Sequence, residues 1–228
     1  MNRNLGQPSR GVNDFIVKQV RVAAITTWVF EVVNPINFLL KWHFGVPRPE
    51  EVAWLISEGN LTRKDGVPNK LIEDIQSMDL EDAYHFTAYK SKGSPMHPSF
   101  LAMHAAGSTC SLWLAVICNL TPEQYLEALR VDYAVAYGRT IAGVHYERDN
   151  IAGLNIGQRI VREKLPAFLA ENYGYDYGLI DSKVKALSFD WNKFENATGS
   201  IDGKSAADFL STWSDLEDKP HMNADPFE

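Results

Sequence analysis

The chain has 228 residues, 45% of them hydrophobic and 22% charged, enough for one sizeable core or one core plus an arm. Its net charge of −7 argues against nucleic acid as a partner, because most of the surface would repel a polyanion, but it leaves room for a local basic pocket that takes a small anion. The longest apolar region, Phe15 to Leu40, is broken by Lys18, Arg21, Glu31, Asn34, Pro35 and Asn37, so no membrane helix is expected; nor is a charged-then-apolar leader seen, and the compartment stays open.

Asn13-Asp14 caps a predicted helix running to about Val33, where Pro35 is expected to force a kink or a restart. A second piece, Pro35 to Phe44, then delivers Lys41 near its end before Gly45 and Pro47 break it. Arg48 precedes Pro49 and is read as extended. Short helices follow at Glu50 to Ser57 and Lys70 to Met78, with Asp65-Gly66 as a turn between them. The Pro- and Gly-bearing stretch from Lys90 to Ser99 reads as an ordered loop, and Ser99 as the N-cap of a helix from Phe100 to Asn119. The Ala105-Ala106-Gly107 run on that helix lets another helix come close. Its two cysteines, Cys110 and Cys118, stand about 12 Å apart along the axis and cannot pair with each other.

Thr121-Pro-Glu-Gln124 is a strong helix start, with Thr as N-cap, Pro first and Gln three residues on. This helix should run to about Ile141, with Gly143 ending or bending it, and the next from about His145 to Glu171. No repeat, Gly-rich phosphate loop or alternating strand pattern is present, so the expected fold is an all-α helix bundle over residues 1–171. Residues 172–228 read as a partly irregular C-terminal arm with Trp191, Phe194, Phe209 and Trp213 as anchors. Sequons stand at Asn60, Asn119 and Asn196 and matter only in a secreted chain.

Chemistry concentrates in two segments, Lys41 to Pro49 and Arg139 to Asp149. Together they supply three fixed cations (Lys41, Arg48, Arg139), the imidazole of His145 and the carboxylate of Asp149, the inventory needed to bind a tetrahedral oxyanion. Four residues separate His145 from Asp149, so on a helix the carboxylate can accept from the second ring nitrogen, fixing the tautomer. Between the segments, His97-Pro98-Ser99-Phe100-Leu101-Ala102-Met103-His104 adds a second imidazole able to act as acid or base. His43, His85 and His221 fit no pattern and read as solvated.

These segments resemble the phosphatidic-acid phosphatase type 2 and vanadium haloperoxidase superfamily, whose pattern runs K-x6-R-P, then P-S-G-H, then S-R-x5-H-x3-D. The closer likeness is to the algal vanadium bromoperoxidases, whose middle segment reads like H-P-S-Y-P-S-G-H-A, in frame with His97 to Ala105; Tyr137 to Tyr146 is also similar to theirs. It covers about residues 10 to 170, the site-bearing half of those longer subunits. The resemblance implies a helix bundle of the haloperoxidase and acid phosphatase type, with vanadate as cofactor or phosphate in its place. It implies that Lys41, Arg48, Arg139 and the Met103 backbone N–H bind the equatorial oxygens, and that His145 is the axial ligand to vanadium or a phosphatase nucleophile. By the same likeness His104 is the acid or base, and Asp149 and His97 support the site from behind. Hydrogen peroxide, bromide or iodide, and a small organic acceptor follow as partners. A homo-oligomer is expected to cover the apolar faces that the missing half would have covered.

The chain departs from the pattern at Ala102, where the family has a serine, at Met103, where it has glycine, and at Gly138, where it has the serine before the second arginine. Loss of one hydroxyl to a charged group costs about 1.5–3 kcal/mol, roughly ten- to a hundred-fold in oxyanion binding. A methionine backbone fits the glycine position only if positive φ is not required there, and its thioether is open to oxidation. Two alternatives therefore stand beside the haloperoxidase: a soluble acid phosphatase using a histidine nucleophile, and a degenerate phosphate-binding homologue without turnover.

Overall fold

The computed structural model describes residues 10–88, 92–118, 120–188, 190–195, 200–201 and 204–205. The helices are α1 (Arg10–Phe44), α2 (Pro49–Ser57), α3 (Asn69–Gln76), α4 (Met103–Gly107), α5 (Cys110–Ile117), α6 (Pro122–Ile141), α7 (Glu147–Tyr173) and α8 (Tyr177–Ala186). Three two-residue strands, Phe194–Glu195, Ser200–Ile201 and Lys204–Ser205, form a small antiparallel meander after them. The class is all-α.

α1 is continuous through Pro35, contrary to the expected kink or restart. Val33 and Asn37, on either side of the proline, are both fully buried in the bundle, so tertiary packing holds both halves on one axis. The core-facing ridge of α1 advances by four residues at a time through Ile25, Val29, Val33, Asn37 and Lys41, all essentially buried. The first three enter the main core; the ridge then turns polar and ends in Lys41.

The expected helix from Phe100 to Asn119 is two helices. Ser99 does not cap either: α4 begins at Met103 behind Ala102, and the chain breaks at Ser108-Thr109. The second start is capped from a distance. Asp132 of α6, fully buried, accepts the backbone N–H groups of Cys110 and Ser111, at 3.0 Å each, and the Ser111 hydroxyl at 2.6 Å. Burial pushes the Asp132 carboxyl up to about 6, against the pull of these bonds. Both cysteines are free.

α4 lies against α7 at backbone contact, as the Ala105-Ala106-Gly107 run suggests. The complementary residues are Gly153 and Gly157 of α7: a Cβ on Gly153 would stand 2.6 Å from the Ala102 carbonyl oxygen, and one on Gly157 2.8 Å from the Ala106 Cα. Thr121 and Gln124 form the expected capping box of α6, and Gly143 (φ 71°) turns the chain beyond it. α8, which falls in the expected arm, sends Ile180 and Val184 into the main core, and Trp191 joins them. Phe209 and Trp213 lie outside the described residues.

By length and composition α1 belongs to a stretch, Phe15–Ser57, that is apolar enough to cross a membrane, its best window having a mean hydropathy of 1.4. The buried ridge against the bundle is also what a core helix shows.

Candidate oxyanion site

Lys41, in the last turn of α1, is fully buried and donates to the carbonyl oxygens of Pro98 (3.1 Å) and Ser99 (2.9 Å). Arg48, just ahead of α2 and 3% exposed, spans three parts of the site. Its Nε donates to the His97 carbonyl (2.9 Å), one terminal nitrogen to the Val144 carbonyl (2.7 Å) and His145 Nε2 (3.0 Å), and the other to His97 Nδ1 (3.0 Å). Extended backbone at Arg48 (φ −74°, ψ 154°), followed by Pro49 at the start of α2, sets its direction.

Those bonds assign both imidazoles. A guanidinium only donates, so His145 Nε2 and His97 Nδ1 must accept. His145 Nδ1 then carries the proton and faces Asp149 Oδ2 at 3.3 Å, with Ser99 Oγ also at 3.3 Å. Ser99 in turn donates to Asp149 Oδ2 at 2.5 Å, and the Tyr146 N–H reaches the same oxygen at 3.3 Å. The backbone is tied in as well, since Ala102 N–H donates to the Asp149 carbonyl (3.0 Å). Asp149 is thus the hub between α4 and α7. Burial works to raise its pKa, but the bonds from His145, Ser99 and Tyr146 win and hold it below the usual range.

His145 itself is held down at about 4, mainly by burial, with Asp149 pulling the other way and Arg48 and Lys41 adding to the depression. The ring is neutral near pH 7, with its Nε2 lone pair directed at a cation. His104 on α4 is exposed, and its pKa is lowered first by partial desolvation, then by Arg139, Lys41 and Arg48. All three cations therefore act on one imidazole. Arg139, in the last turn of α6, also accepts the Val144 and His145 N–H groups at its own carbonyl (3.2 and 3.3 Å), which fixes the loop that presents His145. His97 is half-buried, and its pKa is lowered by desolvation first and then by Lys41, Arg48 and His104; with Nδ1 accepting from Arg48 at 3.0 Å, the longer 3.3 Å approach of that nitrogen to the Pro98 carbonyl carries no proton.

Lys41, Arg48, Arg139, His97, His104, His145 and Asp149 therefore converge on one region of the fold. Met103 opens α4 with helical backbone; among the described residues only Asp79 is a non-glycine with positive φ. The glycine-to-methionine departure needs no strained turn here. His43 and His85 are exposed, and His221 lies outside the described residues.

Sequence reading missed two residues. Ser99, read as a helix cap, instead locks the Asp149–His145 pair; its place beside His97 in the middle segment was the available signal. Asn37 is fully buried one turn before Lys41, and neither side-chain atom finds a partner among the described residues. Only its position on the apolar ridge of α1 could have marked it.

The donor set suits an anion. Among the described residues no group of three or more His, Cys, Asp or Glu could hold a metal cation, whereas three cations and a neutral imidazole suit the oxygens and centre of vanadate or phosphate. The Arg48–Nε2 bond is the contact that an anion centred on His145 must replace. A cleft of about 560 Å³ between Tyr133 and Trp191 is lined by Arg148 of α7, whose Nε stands 3.9 Å from Asp149 Oδ1.

Lys41 makes the site sensitive to pH. Burial first, then Arg48, lowers its ammonium to about 7, with Asp149 opposing. A cation whose pKa is lowered keeps its charge below that value and loses it above. Phosphate or vanadate affinity, measured by calorimetry, is expected to fall as pH rises through about 7. Lys41→Met should bind weakly and lose that step.

No family model, curated protein or solved structure matches the chain.

Proposed function

We propose that the chain is a vanadate-dependent haloperoxidase-like enzyme that oxidises bromide or iodide with hydrogen peroxide and passes the oxidised halogen to a small organic acceptor. The observation that carries this reading is the neutral His145 Nε2, fixed from behind by Asp149 and Ser99 and faced by Arg48. Vanadate, when bound, supplies the Lewis-acidic centre at which peroxide is activated. His145 would hold it through Nε2. Lys41, Arg48 and Arg139 balance the charge of the oxygens, with the Met103 N–H as a further donor. His104, exposed and with its pKa lowered first by partial desolvation and then by the three cations, moves the proton. His97 holds the Arg48 guanidinium in plane.

A second reading is an acid phosphatase in which His145 attacks phosphorus. Its depression to about 4 favours it, because the nucleophile stays unprotonated in acid. One set of incubations separates the two. Orthovanadate, peroxide and bromide with a phenol dye should give halogenation that depends on vanadate. Absence of any such rate removes the first reading, and a phosphohistidine trapped at residue 145 establishes the second.

A further inference from the structure

Beside the buried ridge of α1 runs a second row, Ile16, Val20, Ala23, Thr27, Glu31, Pro35, Phe38 and Trp42, all eight exposed. Their steps along the chain are 4, 3, 4, 4, 4, 3 and 4, which place them on one side of a straight helix over about 39 Å. The order of steps is the same from either end, and so is the chemistry. Large apolar residues occupy both ends, small ones the next positions, and the polar pair Thr27 and Glu31 the middle. A surface that is its own complement under a two-fold rotation is what an isologous contact requires.

We infer that this face is where a second copy of the chain docks, with the two α1 helices antiparallel about a two-fold axis between Thr27 and Glu31. In that register Ile16 meets Trp42, Val20 meets Phe38, and Ala23 meets Pro35 of the other copy. Each Glu31 faces the other copy's Thr27, whose hydroxyl donates to its own Ala23 carbonyl at 3.1 Å in the single copy and turns to the Glu31 carboxylate in the contact, a charge-assisted bond in exchange for a neutral one.

The exposed area is sufficient. Ile16 is 52% exposed, Val20 63%, Phe38 40% and Trp42 58%; at roughly 200 Å² for a large apolar side chain, these four offer about 400 Å² per copy. A pair thus covers about 800 Å² before the four smaller positions are added, and these carry it past the ~1,000 Å² of a specific interface. Phe38 and Trp42 already pack edge to face at 6.2 Å, so one end of the surface is rigid in advance. Phe38 also stands edge-on to His97 at 5.3 Å, which brings the other copy's Val20 beside the oxyanion site. A lipid surface fits less well, because the chain's net charge of −7 repels anionic headgroups.

The test is the mass of the full chain by sedimentation at micromolar concentration. Wild type should run as a dimer or an even multiple. Val20→Glu should halve that mass and raise the dissociation constant at least ~100-fold for two buried charges per contact, with an unchanged helical circular dichroism signal. In a second variant carrying Val20→Cys and Phe38→Cys, oxidation should give covalent dimers where wild type, with Cys110 and Cys118 alone, gives none. A monomeric wild type, a mass untouched by Val20→Glu, or a monomer that floats with phosphatidylserine vesicles and is released by Val20→Glu would each overturn the proposal.

Discussion

Arg48→Ala is expected to lower the melting temperature by roughly 5–20 °C and to abolish oxyanion binding. The guanidinium is the only described group seen donating at once to the Val144 carbonyl, the His97 carbonyl, His145 Nε2 and His97 Nδ1. Each buried acceptor left without a donor costs about 1–3 kcal/mol, and two carbonyls make that roughly 2–6 kcal/mol. In a protein of this size each kcal/mol moves the transition by about 2–4 °C. Arg48→Lys separates charge from geometry: an ammonium keeps the positive charge but cannot span both histidine segments, so it too should lose most of the affinity. Thermal unfolding with and without phosphate reads both effects, and an Arg48→Ala protein that still gains stability from phosphate would contradict the role given to this residue.

Gly157→Ala is the second large effect. A Cβ there would stand 2.7 Å from the Ala106 carbonyl carbon and 2.8 Å from its Cα, against backbone that no rotamer change can move. The cost should reach about 3 kcal/mol, the upper part of the range for overpacking, or a fall of roughly 6–12 °C. The displacement also has a functional consequence, because α4 carries His104 and α7 carries Asp149, and Ala102 N–H bonds the Asp149 carbonyl across the same contact. Gly138→Ala is the contrast: nothing lies within 4 Å of a Cβ at that helical position, so it should stabilise by roughly 0.5–1 kcal/mol. Equal melting temperatures for the two variants would show that the α4–α7 contact is looser than described.

The parts of the fold that were legible in the sequence are those set by local chemistry. Thr121, Pro122 and Gln124 satisfy the first turn of α6 among themselves, and Gly143 supplies the left-handed turn after it. The spacing from Lys41 to Arg48 and from Arg139 to Asp149 was readable for the same reason, since a helix end and a short loop fix where each side chain emerges. What escaped was decided by distant residues. Asp132 starts α5 from another helix, so the break at Thr109 has no local sign. Ser99 looks like a helix cap because serine before an apolar run usually is one, yet its hydroxyl is claimed by Asp149, fifty residues away. Pro35 looks like a break until Val33 and Asn37 are seen buried on both sides of it. Within the site the cations and imidazoles were legible as residue types, but not the tautomers, which depend on Arg48 donating to both rings.

The central claim is that His145 Nε2 is the point on which a tetrahedral oxyanion is held, and a crystal structure of the full chain grown with orthovanadate tests it most directly. Vanadium density joined to His145 Nε2, with Arg48 turned from that nitrogen to the vanadate oxygens and Lys41 and Arg139 beside them, is the predicted result. Vanadate bound elsewhere, or the Arg48–His145 hydrogen bond intact at saturating vanadate, would contradict it.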